Sequence, residues 1–171
     1  IATLQKQVGL EPTFVEGLRV TDPESLRIAE MVLSGSVNKR LVARLVVAGA
    51  KAVGLSGVDL GLIRVEPMQH PAGDLGLVGD VKAVNVEPLL QLLEQGMLPV
   101  ISPISLGYDG RTYKVNADHA ALGLATALSA RALILVTNVE GVIVDGRVLE
   151  RLNANQAGDL IAEGTISGGM V

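Results

Sequence analysis

A few short stretches of this chain combine residue types suited to a charged, phosphorylated ligand. VNADHAALG, residues 115–123, sets Asn116 and Asp118 at the entrance to a run of small residues. As helix cap and first-turn acid the two stabilise a helix start by about 0.5–2 kcal/mol together. That account leaves open why the following turns are filled with Ala and Gly, which allow close backbone approach but add little packing. Arg19 lies between Gly17 and a helix start at Thr21. At such a turn its planar fork can take a carboxylate through two hydrogen bonds, which these surroundings favour over a solvated charge at a strand end. Glycines gather in GLSGVDLG (54–61), TNVEGV (137–142) and TISGGM (165–170). Glycine-rich turns ahead of helices let backbone N–H groups converge on phosphate oxygens. None of the three has P-loop or GxGxxG spacing, so ordinary turns explain them equally well. His70 and His119 are read as surface residues.

The elements that must position these groups follow from composition and pattern. With 171 residues, 49% hydrophobic and 19% charged, the chain reads as one domain with a sizeable core. It has no Cys and only two His, which removes disulfides and thiolate metal sites and implies a reduced, cytoplasmic protein. A net charge of -4 without a basic block, and 2% aromatics, argue against a nucleic-acid partner. Mean hydropathy is +0.43, yet no window approaches the roughly 20 apolar residues of a membrane span. No signal peptide is visible. The chain lacks an initiator Met, its first residues already form a helical stripe (Ile1, Leu4, Val8), and Thr165–Val171 read as a loop opening a further helix. These features suggest a domain incomplete at both ends.

Periodicity predicts a helix over 1–8, extended segments at 12–15 and 18–20, and a helix from TDPE (21–24) with Thr21 and Glu24 as a capping box. Leu26, Ala29 and Leu33 mark its buried face. After a break at Ser34-Gly35-Ser36 comes a helix with Val37, Leu41 and Leu45 inside and Lys39, Arg40 and Arg44 outside, ended by Gly49. Strands follow at 51–55, 62–66 and 75–84, then a helix capped by Asn85 and closed by Gly96. A strand at 98–102, an Asp109-Gly110 hairpin turn, a helix over 117–128 and a strand at 132–137 complete the pattern. Continuous apolar runs such as LILV point to a parallel sheet covered by helices. The fold class is α/β, and a ligand is expected beyond the C-terminal strand ends.

GLRVTD (17–22), EMVLSGSVNK (30–39), AVGLSG (52–57), VNADHAA (115–121), TNVEGV (137–142) and EGTISGGM (163–170), in this order and spacing, resemble the acetylglutamate kinases of the amino acid kinase family over essentially the whole chain. The resemblance implies a three-layer αβα sandwich with a mainly parallel central sheet, a homodimer built on that sheet, and ATP with Mg²⁺. It implies phosphorylation of the side-chain carboxylate of N-acetyl-L-glutamate, the second step of arginine biosynthesis. Arg19 matches an arginine that holds a substrate carboxylate. Asn116 and Asp118 match a triplet whose aspartate organises catalytic lysines. Asn138, Val139, Glu140, Gly141, Val142 and Ile143 match one nucleotide loop. Thr165, Ile166 and Ser167 match a second, with Gly168 and Gly169 where the chain nears the phosphates.

An acceptor carboxylate is already ionised at neutral pH, so Asp118 is expected to orient and not to remove a proton. Phosphoryl transfer then depends on positioning and on neutralising developing charge. The family's two catalytic lysines, one in an N-terminal glycine-rich segment and one soon after the GGM motif, are expected outside residues 1–171. Lys114 stands where relatives usually carry a substrate-binding Asn. That leaves a kinase for carrier-linked aminoadipate or glutamate as an alternative, and a non-catalytic nucleotide-binding or regulatory domain as another.

Overall fold

The computed structural model describes residues 1–11, 14–15, 18–71, 73–137, 141–144 and 147–166, with the backbone alone at 14, 15, 18 and 19. The chain divides into two units, Ile1–Leu133 and Ile134–Val171. The first runs α1 (Ala2–Gln7), β1 (Phe14–Val15), β2 (Leu18–Arg19), α2 (Pro23–Glu30), a π-helical stretch (Met31–Val37), α3 (Asn38–Val47), β3 (Ala52–Gly57), β4 (Ile63–Pro67), β5 (Gly79–Val84), α4 (Glu87–Glu94), β6 (Leu98–Gly107), β7 (Thr112–Lys114) and α5 (Ala117–Ala127). The second holds β8 (Ile143–Val144), β9 (Arg147–Val148) and α6 (Ala154–Ala162). In α6, Asn153 and Gln156 form a reciprocal capping box.

β6 is the hub of the sheet. It pairs in parallel with β3 and β4 and antiparallel with β7, and β4 carries β5 antiparallel on its outer side. Two prolines sit in β6 without loss. The Leu98 N–H donates to the Lys51 carbonyl, so by alternation the Pro99 position turns away from β3. Pro103 falls in the register shift between Ser56↔Ser102 and Gly57↔Ser105, where no ladder N–H is required. The two faces of the sheet are distinguishable by neighbouring residues. Tyr113, opposite Ser105, packs with Ile63, Val65, Leu89 of α4 and Ala120 of α5. Ile104, one residue before Ser105 and so on the other face, packs with Leu26 and Ala29 of α2. Helices therefore cover both faces, giving the expected α/β layering.

Several local expectations are corrected. α2 is capped by Asp22, whose carboxylate accepts from the Ser25 N–H at 2.7 Å, and not by Thr21. A cap's carbonyl must accept the first helical bond; that of Thr21 is occupied by the Leu77 N–H, whereas that of Asp22 accepts from Leu26. Ser34-Gly35-Ser36 does not break the helix. It lies in the π-helical stretch, held to β6 by the Ser34 and Ser102 hydroxyls at 2.6 Å. Asn85 does not cap α4; Val86 occupies that position, and the Asn85 amide donates to the Leu60 carbonyl.

Of the residues predicted to face inward at α3, Val37 is 45% and Leu41 46% exposed, and Leu45 is half-buried. The side that meets the sheet presents Asn38, whose Nδ2 donates to the carbonyls of Leu55 and Val100. Residues 132–137 form no strand, and Val136 is 96% exposed. An apolar run becomes a strand only when a neighbour takes its backbone hydrogen bonds, and none among the described residues does so.

Candidate active site

The VNAD segment leaves β7 with alternating inner and outer side chains. Tyr113 and Val115 are buried while Asn116 and Asp118 are exposed. Its backbone is fixed on both sides: the Val115 N–H donates to the Pro103 carbonyl at 2.9 Å and the Lys114 N–H to the Leu77 carbonyl at 3.0 Å. Pro103 directly follows Ser102, which pairs with Ser56 near the end of β3. The segment thus emerges level with the C-terminal end of the β3–β6 ladder. Asn116 has extended backbone and caps α5, its side-chain oxygen accepting from the N–H groups of Asp118 (2.8 Å) and His119 (3.4 Å).

The segment carrying Arg19 reaches the same ladder. Arg19 pairs with Phe14 in the β1–β2 hairpin, and two residues on, the Thr21 N–H donates to the Leu75 carbonyl while the Thr21 carbonyl accepts from Leu77. Leu77 in turn accepts from Lys114. The chain just after Arg19 and the strand carrying Lys114 are therefore joined through residues 75–77. Gly76 makes this approach possible, with φ +70°; a Cβ there would lie 2.5 Å from the Thr21 carbonyl oxygen. The side chain of Arg19 lies outside the described residues. A cavity of about 880 Å³ opens beside this ladder, walled in part by Thr21, Asp22, His70, Gly76, Leu77 and Tyr113. Neither Asn116 nor Asp118 lines it.

GLSGVDLG behaves differently from a phosphate cradle. The Asp59 carboxylate accepts from the Ser56 N–H at 2.6 Å and from the Ser56 hydroxyl at 2.8 Å, closing the loop on itself with an acid. In the second unit, Gly141, Val142 and Ile143 enter the β8–β9 hairpin, where the Val142 carbonyl accepts from the Leu149 N–H and Ile143 pairs with Val148. Thr165 is exposed and Ile166 buried. Asn138, Val139, Glu140, Ser167, Gly168 and Gly169 lie outside the described residues. Sequence reasoning missed Thr21, Gly76 and Tyr113, which tie this ladder together or wall the cavity beside it. Tyr113 carried a signal, being one of three aromatic residues in the chain.

The model of the amino acid kinase family matches residues 1–171. The chain belongs to the amino acid kinase family. An acetylglutamate kinase of Roseiflexus castenholzii is 57% identical over 171 residues, all of this chain and 66% of the relative. The chain thus spans just under two thirds of that protein's length. Among solved structures, the Streptococcus mutans protein smu.665 superposes with a TM-score of 0.89 at 29% identity, covering 99% of this chain and 68% of the other. The N-acetylglutamate synthase of Neisseria gonorrhoeae, solved with coenzyme A and N-acetyl-glutamate, gives 0.78 at 26% identity over 94% of this chain and 37% of its own. This amino acid kinase chain has no described helix long and apolar enough to cross a membrane.

Proposed function

We propose that the full-length protein carrying this chain is an acetylglutamate kinase. It transfers the γ-phosphoryl group of ATP to the side-chain carboxylate of N-acetyl-L-glutamate, forming N-acetyl-L-glutamyl 5-phosphate in arginine biosynthesis. The 57% identity across all 171 residues to a relative of that name carries the reading. The ladder from Thr21 through Leu77 to Lys114 supports its geometry. Arg19 grips a substrate carboxylate, Asn116 and Lys114 address substrate oxygens, and Asp118 orients the catalytic lysines supplied by flanking sequence. The nucleotide is held by residues 138–143 and 165–169.

The acceptor needs no deprotonation, so the work of these residues is to hold two anions in line and offset their charge. Mg²⁺ would accompany ATP and offset the charge of its phosphates. Among the described residues no three ligating groups converge, so no residue of this chain is named for the ion. Both units are read as parts of one kinase domain of a cytoplasmic enzyme. Exposed apolar residues of α3, Leu41, Val46 and Val47, favour a homodimer.

The match to part of an acetylglutamate synthase favours one second reading, a domain that binds acetylglutamate without phosphorylating it. ADP release by the full-length protein with acetylglutamate, glutamate, aspartate or UMP, and with a carrier-linked aminoadipate, separates the cases. Turnover is expected to be fastest with acetylglutamate. Faster turnover with any other acceptor overturns the substrate assignment, and acetylglutamate binding without ADP release supports the second reading.

A further inference from the structure

The hairpin leading into VNAD is held by a cluster that the reading above does not use. Asp109 lies in the turn between β6 and β7. Its Oδ2 accepts from the Tyr113 hydroxyl at 2.7 Å and from the Arg111 Nε at 2.7 Å, and its Oδ1 accepts from the Arg111 backbone N–H at 3.0 Å. Hydrogen bonds to an ionised acceptor are the stronger kind. These bonds, that from Tyr113 foremost, hold the Asp109 carboxyl down at about 2. Burial, and then the bond to Asp109, push the Tyr113 phenol up, so it remains a donor. Arg111 also lies over the Tyr113 ring, 5.6 Å from its centre. Across the turn, Arg64 donates to the Gly107 carbonyl at 3.0 Å and stacks 4.7 Å from the centre of the Tyr108 ring. The next residue along β7, Thr112, donates its hydroxyl to Glu30 at the end of α2.

Register is what this cluster controls. Tyr113 is fully buried opposite Ser105, one residue before Lys114 and three before Asn116. A slip of one residue in a strand exchanges its faces; here it would drive Lys114 into the core and carry Asn116 and Asp118 along the sheet. β7 has only three residues, so its ladder alone resists a slip weakly. The bond from Tyr113 back to Asp109 closes only when the turn holds the observed number of residues.

We propose that Asp109 and Tyr113 are positioning residues whose hydrogen bond fixes the register of β7 and thereby the placement of Lys114, Asn116 and Asp118. Its kinetic consequence rests on the acetylglutamate kinase reading; its structural consequence does not.

The test uses Tyr113→Phe in the full-length protein, which keeps the buried ring and removes only the donor. Asp109→Ala and the double variant accompany it. Residue-resolved amide exchange is read together with KM and kcat. Exchange at Lys114, Asp118 and His119 is expected to quicken about tenfold, as for loss of one charge-assisted bond, with the α2 and α3 amides unchanged. The KM for acetylglutamate rises several-fold while that for ATP holds. The double variant is no worse than Asp109→Ala alone. Unchanged exchange at these three amides, or an equal rise throughout the first unit, overturns the proposal. So does a local exchange change in an active enzyme whose acetylglutamate KM stays constant. If the wild type releases no ADP with acetylglutamate yet the exchange pattern appears as expected, the functional reading fails and the positioning role stands.

Discussion

The side-chain oxygen of Asn116 accepts the backbone N–H of Asp118 at 2.8 Å, so the cap of α5 also fixes where the Asp118 carboxylate begins. Capping and catalysis would each account for these two residue types, and the two roles separate by substitution. Asn116→Ala removes the acceptor for two N–H groups and is expected to cost about 1 kcal/mol, a fall of roughly 2–4 °C in melting temperature. Asn116→Asp keeps an acceptor and should retain the stability. Thermal melts of both variants check this.

Asp118→Asn leaves the cap untouched because the Asp118 backbone, not its carboxylate, is what Asn116 binds. Its stability should change only by the first-turn charge effect, about 0.3–1 kcal/mol. kcat should fall strongly, and no acidic limb should vanish from the pH–rate profile, since Asp118 is assigned no proton to remove. A normal kcat with a lowered melting temperature leaves Asp118 as a first-turn charge on the helix dipole alone.

The parts of this site that were legible in the sequence are the local ones. Asn116 as cap and Asp109-Gly110 as a turn depend on neighbours within four residues, and both are found. The cap of α2 was misread because the choice between Thr21 and Asp22 is made by Leu75 and Leu77, more than fifty residues away. The run 132–137 was misread for the same kind of reason, since pattern supplies apolar side chains but not the ladder partner that makes a strand. Periodicity predicted Val37, Leu41 and Leu45 inside, whereas Val37 and Leu41 are exposed and Leu45 is half-buried, because a polar residue, Asn38, makes the contact with β3 and β6. The Asp109–Tyr113 pair is close in sequence, but its meaning comes from the core that buries the Tyr113 ring.

That Asn38 contact depends on Gly54. A Cβ at Gly54 would collide with the Asn38 side-chain oxygen and come within 3.0 Å of Val42 Cγ2. Gly54→Ala is therefore expected to destabilise by about 1–3 kcal/mol through overpacking. Asn38→Ala vacates the space, so the double variant should lose less stability than the sum of the two single changes. Urea midpoints of the three variants measure the coupling.

Acid should loosen the hairpin. Asp109 titrates at about 2 in the folded chain against an ordinary 3.8. A depressed carboxyl contributes its stability above the unfolded value and loses it as pH falls through the folded one. Wild type should exceed Asp109→Asn in urea midpoint at pH 5, and the gap should close between about pH 4 and pH 2. A gap that stays constant over that window would show that the Asp109 charge contributes nothing and that only its shape matters.

Arg19 provides the last separation, between substrate binding and support of the fold. Among the described residues its strand meets the ladder through Thr21, two residues on, so a change confined to the Arg19 head group should leave these main-chain ties intact. Arg19→Lys keeps the charge and loses the two-point fork that matches a carboxylate. In the full-length protein the KM for acetylglutamate should rise by about tenfold or more, with the KM for ATP and the melting temperature nearly unchanged. Loss of one charge-assisted bond is worth about 1.5–3 kcal/mol, which sets that scale. Equal rises in both KM values, or a lowered melting temperature with proportional loss of activity, would make Arg19 a structural residue and leave the carboxylate to Lys114 and Asn116.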